Sequence, residues 1–299
     1  MSRIVKFALA MLAVGVIGTA GTATFTDAFS LKTTDYHSKK MVKSGGVENI
    51  EVDVSSTDVT VVPGQSGQIE VTLKGRLSKT IKEKSNYKLS VEEKGDTLKV
   101  KVTQKNMYFY VGMGRVDLNL EVKVPEKMYK SLVIETSSGD IELRDLKADK
   151  VEAEASSGDI KMKNVSADSV SRSETSSGDI TLKDSVSKKF ELLASSGDMI
   201  LNGLKGDVTA ETSSGEIDVK GKSASGNIKA DTASGDVNVV FEDRPESLSI
   251  VFEGSSGDGT VNLAGVDYDK KTDHTIAGRI GEGKYKLQVT TSSGDFELN

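Results

Sequence analysis

The sequence predicts an all-β fold, a β-solenoid in which short coils stack as in a single-stranded β-helix. Three observations predict it. A turn centred on serine and glycine, most often Ser-Ser-Gly-Asp followed by an apolar residue, recurs nine times, and most copies lie 18 to 22 residues apart. Apolar and polar residues alternate on both sides of the glycine, as in half-buried strands. Beyond residue 30, no 11-residue window carries a sustained helical stripe of apolar residues.

The repeat is defined by its glycines. Their successive spacings are 19, 20, 19, 18, 11, 9, 22 and 37 residues, and the 11 and the 9 together make one period. Gly226 is therefore expected to mark a turn halfway around a coil. Units of fixed period bury their apolar faces only against their neighbours. The nine glycines are Gly139, Gly158, Gly178, Gly197, Gly215, Gly226, Gly235, Gly257 and Gly294.

Aligned on the glycine, the copies show apolar or small columns seven and five residues before it and apolar columns two and four residues after it. The copy around Gly178 breaks the first two columns with Ser171 and Ser173. The residue three before the glycine is small, which indicates a tight corner, and glycine tolerates the positive φ that corners often need. We therefore predict two strands per coil of about 19–20 residues, and seven or eight coils that form a rod of roughly 35–40 Å.

The amino terminus carries a targeting signal. Arg3 and Lys6 precede residues 7–26, which contain no charged residue. This stretch is long enough to cross a bilayer, so residues 7–26 are expected to contact the membrane as an uncleaved signal anchor. Its apolar part, followed by small residues, also fits a cleavable signal peptide, after which the protein would be secreted. A cytoplasmic chain is the remaining alternative.

Four parts of the chain are predicted. Residues 1–30 form the signal anchor or signal peptide, and residues 31–46 form a polar stalk. Residues 47–131 contain alternating strands without the tight period, which predicts an irregular capping region; Ser55-Ser56-Thr57-Asp58-Val59 within it is a degenerate copy of the turn. The repeats occupy 132–299, and a non-repeat insertion at 262–286 is expected to be a second cap or a lateral loop, since open terminal coils need covering.

Composition excludes several classes of function. The 299 residues carry a net charge of −6, include 5% aromatic residues and contain no cysteine. Without a basic stripe or stacking aromatic residues, nucleic-acid binding is not expected. Without cysteine, there is no disulfide, thiolate metal site or cysteine nucleophile.

Acidic columns flank the predicted corner. Stacked carboxylates about 4.8 Å apart repel each other by roughly 0.9 kcal/mol in water. Either Ca²⁺ bridges successive coils, or the carboxylates accept N–H bonds locally in the turn and a nearby basic column supplies positive charge. The second reading is the simpler one, and on it no cofactor is needed. The candidate Ca²⁺ ligands are Asp140, Asp159, Asp179, Asp198 and Asp236, and the basic column, five residues after the glycine, is Arg144, Lys163, Lys183 and Lys220.

The sequence indicates no catalytic residue. Its two histidines, His37 and His274, fall outside the repeat, and no Gly-x-Ser-x-Gly elbow occurs. A polysaccharide lyase on a solenoid would need a basic residue beside the acidic columns, and no single site stands out.

The chain resembles the bacterial putative adhesin family, which includes LiaG-like envelope proteins. The resemblance rests on the alternating strand block, Pro125 just before the first full repeat, the serial Ser-Ser-Gly-Asp-Ile turns, and Gly278-Arg-Ile-Gly-Glu-Gly-Lys ahead of Val289-Thr-Thr-Ser-Ser-Gly-Asp. It covers residues 45–299. It implies a β-solenoid, often membrane-tethered in Gram-positive bacteria and associated with the envelope-stress response, with no established enzymatic activity and no catalytic residues to carry over.

We therefore expect a non-catalytic, single-pass protein of the cell membrane whose extracytoplasmic domain acts as an adhesin-like binding or scaffold protein. Its expected partners are cell-wall glycan or another envelope protein. Two alternatives stay open: a glycan-active lyase or hydrolase on the same rod, and an envelope-stress regulator that signals through a partner.

Overall fold

A computed structural model describes residues 33–64, 67–78, 86–105 and 116–299. Within these ranges every regular element is a strand. No helix that could cross a membrane is found in them. The predicted anchor or signal peptide, residues 1–30 with the uncharged stretch 7–26, lies outside the described residues.

The strands fall into a capping part, a central run of repeats and a carboxy-terminal part. The capping part contains β1 (Thr33–Lys43), β2 (Asn49–Val54), β3 (Asp58–Gly64), β4 (Gln68–Ser78), β5 (Asn86–Lys94), β6 (Thr97–Lys105) and β7 (Val116–Pro125). The repeats contain β8 (Met128–Thr136), β9 (Ile141–Arg144), β10 (Lys147–Ala155), β11 (Ile160–Lys163), β12 (Ser166–Thr175), β13 (Ile180–Lys183), β14 (Val186–Ala194), β15 (Met199–Asn202), β16 (Lys205–Thr212), β17 (Ile217–Gly221), β18 (Ile228–Thr232) and β19 (Val237–Phe241). The last part contains β20 (Leu248–Gly254), β21 (Gly259–Val261), β22 (Asp267–Thr272), β23 (Thr275–Ile280), β24 (Tyr285–Thr291) and β25 (Phe296–Leu298).

Each coil contributes one strand to each of two sheets. Sheet A has 12 strands in the order β1-β4-β7-β3-β9-β11-β13-β15-β17-β19-β25-β21, and sheet B has 13 in the order β22-β23-β20-β24-β18-β16-β14-β12-β10-β8-β2-β6-β5. From β7 to β21 in sheet A, and from β6 to β20 in sheet B, neighbouring strands are parallel. The predicted β-solenoid is thus confirmed, with a longer parallel stack of about 45 Å at the usual strand spacing.

The apolar columns fill the space between the two sheets. Side chains that the period-two alternation points inward are buried, while their neighbours face solvent. A single core therefore runs along the whole rod, one layer per coil. The fully buried members include Leu132, Val151, Phe190 and Leu287 seven residues before the glycine, and Ile141, Ile160, Ile180 and Phe296 two residues after it.

The coil around Gly178 places two serines in this core. Ser171 and Ser173 take the positions that Val151 and Ala153 occupy one coil earlier, and both are buried. Ser171 Oγ lies 3.8 Å from Met162 Sδ. Ser173 Oγ is buried without a hydrogen-bond partner. A buried hydroxyl without a partner costs free energy on folding.

Residues 33–43, which lie within the predicted polar stalk, form a strand instead. This strand is β1, which pairs antiparallel with β4 over its whole length as the edge strand of sheet A. The strand forms because apolar residues alternate weakly with polar ones along it, and Tyr36 and Val42 on one side pack against the core. The Tyr36 hydroxyl also donates to the Tyr87 carbonyl oxygen at 3.0 Å.

The capping region is more regular than predicted. Strands β2 and β3 form a coil of the main stack, joined by the degenerate turn, and β6 and β7 form the next coil outward. The predicted boundary between residues 131 and 132 falls inside β8. Only β1, β4 and β5 depart from the parallel stack at this end, by antiparallel pairing.

The carboxy-terminal coil is out of sequence order. Strands β24 and β25 lie between the coil of β18 and β19 and the coil of β20 and β21. The insertion at 262–286 contains the hairpin of β22 and β23, whose second strand pairs antiparallel with β20 and covers the end of sheet B.

Replacing Ser173 with alanine should stabilise the protein by about 1 kcal/mol or more, because it removes a buried hydroxyl that has no partner. Alanine is also the residue that this column carries at Ala153, Ala210 and Ala230. The free energy of unfolding in urea would measure the change. Ser176→Ala, an exposed serine of the same coil, is the control and should be neutral. A lower midpoint for Ser173→Ala would show that the hydroxyl has an undetected partner.

Candidate functional site

The corners that join sheet B to sheet A form one continuous edge of the rod, which we call the aspartate edge. It consists of the residues from four before to one after each stacked corner glycine, together with residues 53–58 of the first coil. In space the glycines follow the order Gly139, Gly158, Gly178, Gly197, Gly215, Gly235, Gly294 and Gly257.

Close contact between coils explains the glycine column. A Cβ atom at Gly178 would lie 2.1 Å from the carbonyl oxygen of Gly158, and one at Gly197 would lie 1.8 Å from that of Gly178. None of the stacked corner glycines has a positive φ. The expected reason for glycine, tolerance of positive φ, was therefore wrong, and the requirement comes from backbone packing against the preceding coil.

Gly226 does not belong to the aspartate edge. It stacks on Gly206, whose carbonyl oxygen would lie 2.2 Å from an added Cβ atom. Asn227 next to it donates its backbone N–H to Asp207 Oδ1 at 2.8 Å. This second, shorter column lies at the start of the sheet B strands, so the predicted turn halfway around the coil is confirmed.

Threonines in the column three residues before the glycine make hydrogen bonds to the preceding coil. The hydroxyls of Thr175, Thr212 and Thr232 donate to the glycine carbonyl oxygens of the preceding coil at 3.0, 3.3 and 3.2 Å. Each threonine is buried. In these three coils, the carbonyl oxygens that exclude a Cβ atom therefore also accept a hydrogen bond from a buried hydroxyl, whereas Ala155 and Ala194 at the same position cannot donate one.

The aspartates form a ladder of hydrogen bonds between coils. The backbone N–H of Asp159 donates to Asp140 Oδ1 at 3.0 Å, that of Asp179 to Asp159 Oδ1 at 3.1 Å, and that of Asp198 to Asp179 Oδ1 at 3.0 Å. The ladder begins at Asp58, which accepts from Asp140 at 3.0 Å. The carboxylates accept N–H bonds as expected, but from the next coil and not within their own turn.

The ladder reaches Glu216 and resumes at Asp236 in the reordered end. Glu216 donates its N–H to Asp198 Oδ1 at 2.9 Å, Asp295 donates to Asp236 Oδ1 at 2.8 Å, and Asp258 donates to Asp295 Oδ1 at 2.8 Å. The sequence did not single out Asp58 as part of the site. Its Ser-Ser-Thr-Asp turn, which lacks the glycine, was the available signal.

These hydrogen bonds offset the repulsion between stacked carboxylates. A hydrogen bond to a charged group contributes about 1.5–3 kcal/mol, whereas two exposed charges at the strand spacing repel by roughly 0.9 kcal/mol in water. Burial alone would raise the pKa of Asp159, but the N–H of Asp179 and the amine of Lys161, 3.0 Å away, hold it below its ordinary value.

The predicted basic column does not supply this charge. Lys163, Lys183 and Lys220 lie at the far end of the sheet A strands, four residues from the ladder, or about 13 Å along an extended strand. That distance exceeds the Debye length at physiological salt. The cation that does reach the ladder is Lys161, which the sequence analysis did not assign.

A second acidic row runs along the other side of the edge. Asp53, Glu135, Glu154 and Glu174 occupy successive coils in register and line a groove of about 300 Å³ with the corner serines. Glu174 is paired with Arg172 at 2.6 Å, and Asp53 with Lys101 at 2.6 Å. Burial and the neighbouring carboxylates, above all Glu154, raise the pKa of Glu135. In the described part of the chain, Glu135 and Glu154 have no ion-pair partner.

Exposed serines lie between the two acidic rows. Each corner presents two residues there, and in all but one corner both are serine, as in Ser137-Ser138 and Ser156-Ser157. Among the described residues, the hydroxyls of these corner serines make no hydrogen bond to protein. The edge therefore presents a periodic surface of free hydroxyls flanked by carboxylates.

The five predicted Ca²⁺ ligands are all on this edge, but their geometry is that of a hydrogen-bonded ladder. Across the residues that the structure describes, no group of three or more acidic or histidine side chains is arranged to hold a metal ion. Asp140, Asp159, Asp179, Asp198 and Asp236 each use one oxygen to accept an N–H from the next coil. Calcium binding by these residues stays a prediction.

The two histidines lie at opposite ends of the rod. His37 is in β1. His274, in the β22–β23 turn, places Nδ1 2.8 Å from the carbonyl oxygen of Gly257. Neither histidine lines the acidic groove, which spans the first four coils of the aspartate edge. The structure thus brings together carboxylates and serines, but no histidine, along that groove.

The chain matches one protein family over most of its length. Residues 47–299 match the family model described as Toastrack DUF4097. A solved structure of a putative adhesin from Bacteroides fragilis is 11% identical, covers 90% of this chain and 98% of its own, and superposes with a TM-score of 0.52, which supports the fold. No curated protein is significantly similar to this chain.

Two further solved structures, both from Parabacteroides distasonis, superpose less closely on this chain. One, a putative lipid binding protein, is 14% identical, covers 91% of this chain and 98% of its own, and has a TM-score of 0.46. The other, a putative adhesin, is 14% identical, covers 88% of this chain and 97% of its own, and has a TM-score of 0.39.

Replacing Gly178 with alanine should destabilise the protein by about 3 kcal/mol, since the new Cβ atom forces adjacent coils apart and overpacked sites carry costs of this size. Thermal or urea unfolding would measure it. Gly46→Ala is the matched control, because a Cβ atom there meets nothing within 4 Å. Equal stability of the two variants would mean that the coils are not in backbone contact at the corner.

Stability should fall in acid through the aspartate ladder. The folded-state pKa of Asp159 lies below the ordinary value of 3.8. Its contribution is therefore fully present above the unfolded pKa and is lost as pH falls through the folded pKa. Unfolding free energies measured from neutral pH down to about pH 3 should decrease less steeply in Asp159→Asn than in the wild type. Identical slopes would show that the ladder carboxylate is not preferentially stabilised by folding.

Proposed function

The chain belongs to the Toastrack DUF4097 family, and on that premise we propose that it is a non-catalytic, extracytoplasmic β-solenoid of the bacterial cell envelope that acts as an adhesin-like binding and scaffold protein. The aspartate edge is its binding surface, and the glycan of the cell wall is the partner that its chemistry fits. The structurally similar protein from Bacteroides fragilis is described as a putative adhesin, which agrees with a binding role.

The observation that carries this proposal is the periodic character of the edge. Free serine hydroxyls and exposed carboxylates repeat at every coil over most of the rod. A polymer rich in hydroxyl groups can donate to the carboxylates and exchange hydrogen bonds with the serines, and bonds to charged acceptors are the stronger ones. A repeated surface of this kind suits an extended ligand, as in other solenoid proteins.

We expect a ligand to gain the most binding free energy at the two carboxylates that have no ion-pair partner. Glu135 and Glu154 lie side by side in the groove of about 300 Å³, and their mutual repulsion contributes to the raised pKa of Glu135. Donors from a ligand would relieve this repulsion. Elsewhere in the same row, Arg172 and Lys101 already do so for Glu174 and Asp53.

A membrane tether would hold this surface outside the cell. We propose a single membrane pass by residues 7–26, with cleavage and secretion as the alternative. The charge pattern of Arg3 and Lys6 before an uncharged stretch supports the tether. A mass measurement on the membrane fraction distinguishes a retained segment from a cleaved one.

The proposal predicts that the full chain in detergent co-sediments with purified, protein-free cell wall in a saturable way. The double variant Glu135→Gln and Glu154→Gln should bind about 30-fold more weakly, because each charged acceptor contributes of the order of 1 kcal/mol to binding and about 1.4 kcal/mol corresponds to a factor of ten. Lys163→Gln with Lys183→Gln, two exposed lysines on the opposite edge, is the matched control and should bind as the wild type.

Each other outcome points to a different function. No retention of the wild type overturns the glycan proposal and directs attention to a protein partner, as for an envelope-stress regulator. Release of soluble sugar during the incubation would identify a glycan-active enzyme. Retention that is lost in EDTA and restored by Ca²⁺ would show that the ladder aspartates bind calcium when glycan is present.

A further inference from the structure

The last coil of the chain is inserted between two coils that precede it in sequence. Strand β24 pairs with β18 over five residues and with β20 over seven, and β25 pairs with β19 and with β21 over three residues each. Asn299 is held by β19 on one side, where its N–H donates to the Val239 carbonyl oxygen at 2.9 Å and its own carbonyl oxygen accepts from Phe241 at 2.8 Å. On the other side, the Asn262 side-chain amide donates to Asn299 Oδ1 at 2.8 Å. Residues 285–299 thus fill a slot inside the stack.

The two coils that border the slot could also stack directly on each other. Gly235 and Gly257, the corners on its two sides, are 22 residues apart in sequence, which is an ordinary coil spacing of this repeat. Their coils carry the same column types, with Ile228 and Ile250 seven residues before the glycine. The coil 248–261 can therefore stack directly on the coil 228–241, and the rod has a packed arrangement available without the last coil.

The last coil is held by its two strand ladders and by buried side chains, among them Leu287 and Phe296, and the same segment of a second copy would make the same contacts. The chain contains no cysteine and thus no disulfide. The link is residues 281–284, which leave β23 on one side of β20 and reach β24 on the other side. Gly281 has a φ of +58°, and a Cβ atom there would lie 2.4 Å from the Glu246 carbonyl oxygen over which the link crosses. Short, constrained hinges of this kind favour exchange of the linked element between copies.

We propose that residues 285–299 are an exchangeable coil, and that the slot between the coils 228–241 and 248–261 accepts this segment from a second copy of the chain. Two copies that exchange their last coils are joined at the end of the rod opposite to β1. For a protein tethered through its amino terminus, this is the tip farthest from the membrane. The partner is a second rod, so the proposal goes beyond binding of glycan at the aspartate edge.

The fit of the segment to the slot is specific because of its glycine. A Cβ atom at Gly294 would lie 1.9 Å from the Gly235 carbonyl oxygen, and one at Gly257 would lie 1.7 Å from the Gly294 carbonyl oxygen. Phe296 adds an aromatic contact, with its ring centroid 5.2 Å from that of Phe252. A foreign strand without a glycine in this position cannot approach closely enough to pair on both sides.

Exchange can be tested in the full chain with single cysteines. Glu253 and Thr290 face each other in the parallel ladder of β20 and β24, and adjacent strands about 4.8 Å apart bring their Cα atoms within the range that a disulfide needs. Glu253→Cys in one tagged copy and Thr290→Cys in a differently tagged copy are co-expressed and oxidised. We expect a disulfide-linked heterodimer on non-reducing electrophoresis that neither copy forms alone.

Three controls make the result decisive. Adding Gly294→Val to the Thr290→Cys copy should abolish the heterodimer. Both cysteines in one chain should form an internal disulfide at high dilution. Asp231→Cys and Glu253→Cys in one chain should form a disulfide only when the slot is closed, because β24 lies between these two positions in the filled stack. Gly294→Val weakens the fit of β24 to the slot and should therefore increase the yield of this disulfide.

Two results would overturn the proposal. One is an internal disulfide in the doubly substituted chain without any heterodimer, even after the two copies are unfolded and refolded together. The other is a heterodimer that survives Gly294→Val, since the contact then lies elsewhere. Either result leaves the co-sedimentation with cell wall unaffected, so failure of exchange is distinguishable from failure of the proposed function.

Discussion

The contact between a corner glycine and the carbonyl oxygen of the glycine one coil earlier sets the geometry of this molecule. It brings the backbones of successive coils together at one edge, and the other interactions of that edge depend on it. The buried threonines reach the same carbonyl oxygens, and each aspartate side chain reaches the N–H of the next coil. A side chain larger than hydrogen at Gly158 or Gly178 would separate all of these groups together.

This constraint also explains why the acidic edge is tolerated. Stacked carboxylates repel, but each ladder aspartate accepts a backbone N–H that would otherwise need another acceptor. The stabilisation therefore comes from neutral donors of the stack, and a bound cation is not required by the hydrogen-bond geometry. In the parallel row of Glu135 and Glu154 no such donors are present within the described residues, and repulsion is relieved only where Arg172 or Lys101 is within reach. The two rows look alike in sequence, but the charge of the ladder aspartates is offset by backbone N–H donors, whereas Glu135 and Glu154 have no such donors in the described part of the chain.

Much of the architecture could be predicted from the sequence because the repeat is local. Alternation gave the strands, and the fixed period gave the parallel stack. The order of coils at the carboxy-terminal end could not be predicted in the same way, since the turns at Gly235, Gly257 and Gly294 carry similar motifs and the motif does not specify which coil lies between the other two. The reason for glycine was also missed, because a contact between coils leaves no signal that separates it from a turn requirement. Strand β1 was missed because its alternation is confined to a few residues such as Tyr36 and Val42.

At each end of the rod, the outermost parallel coil encloses a coil that is not its neighbour in sequence. At one end the coil of β2 and β3 lies inside the coil of β6 and β7, and at the other the coil of β24 and β25 lies inside that of β20 and β21. At the amino-terminal end both sheets continue into antiparallel strands, whereas at the other end sheet B continues into β23 and β22 and sheet A ends in the parallel strand β21. Each inner coil is thereby paired on both sides, so its backbone donors and acceptors are satisfied by two ladders and do not form an open edge. The amino-terminal inner coil is followed in sequence by β4, one of the capping strands, whereas the carboxy-terminal inner coil is reached through the short link 281–284, which crosses β20. The proposed exchange of residues 285–299 between two copies depends on that short crossing.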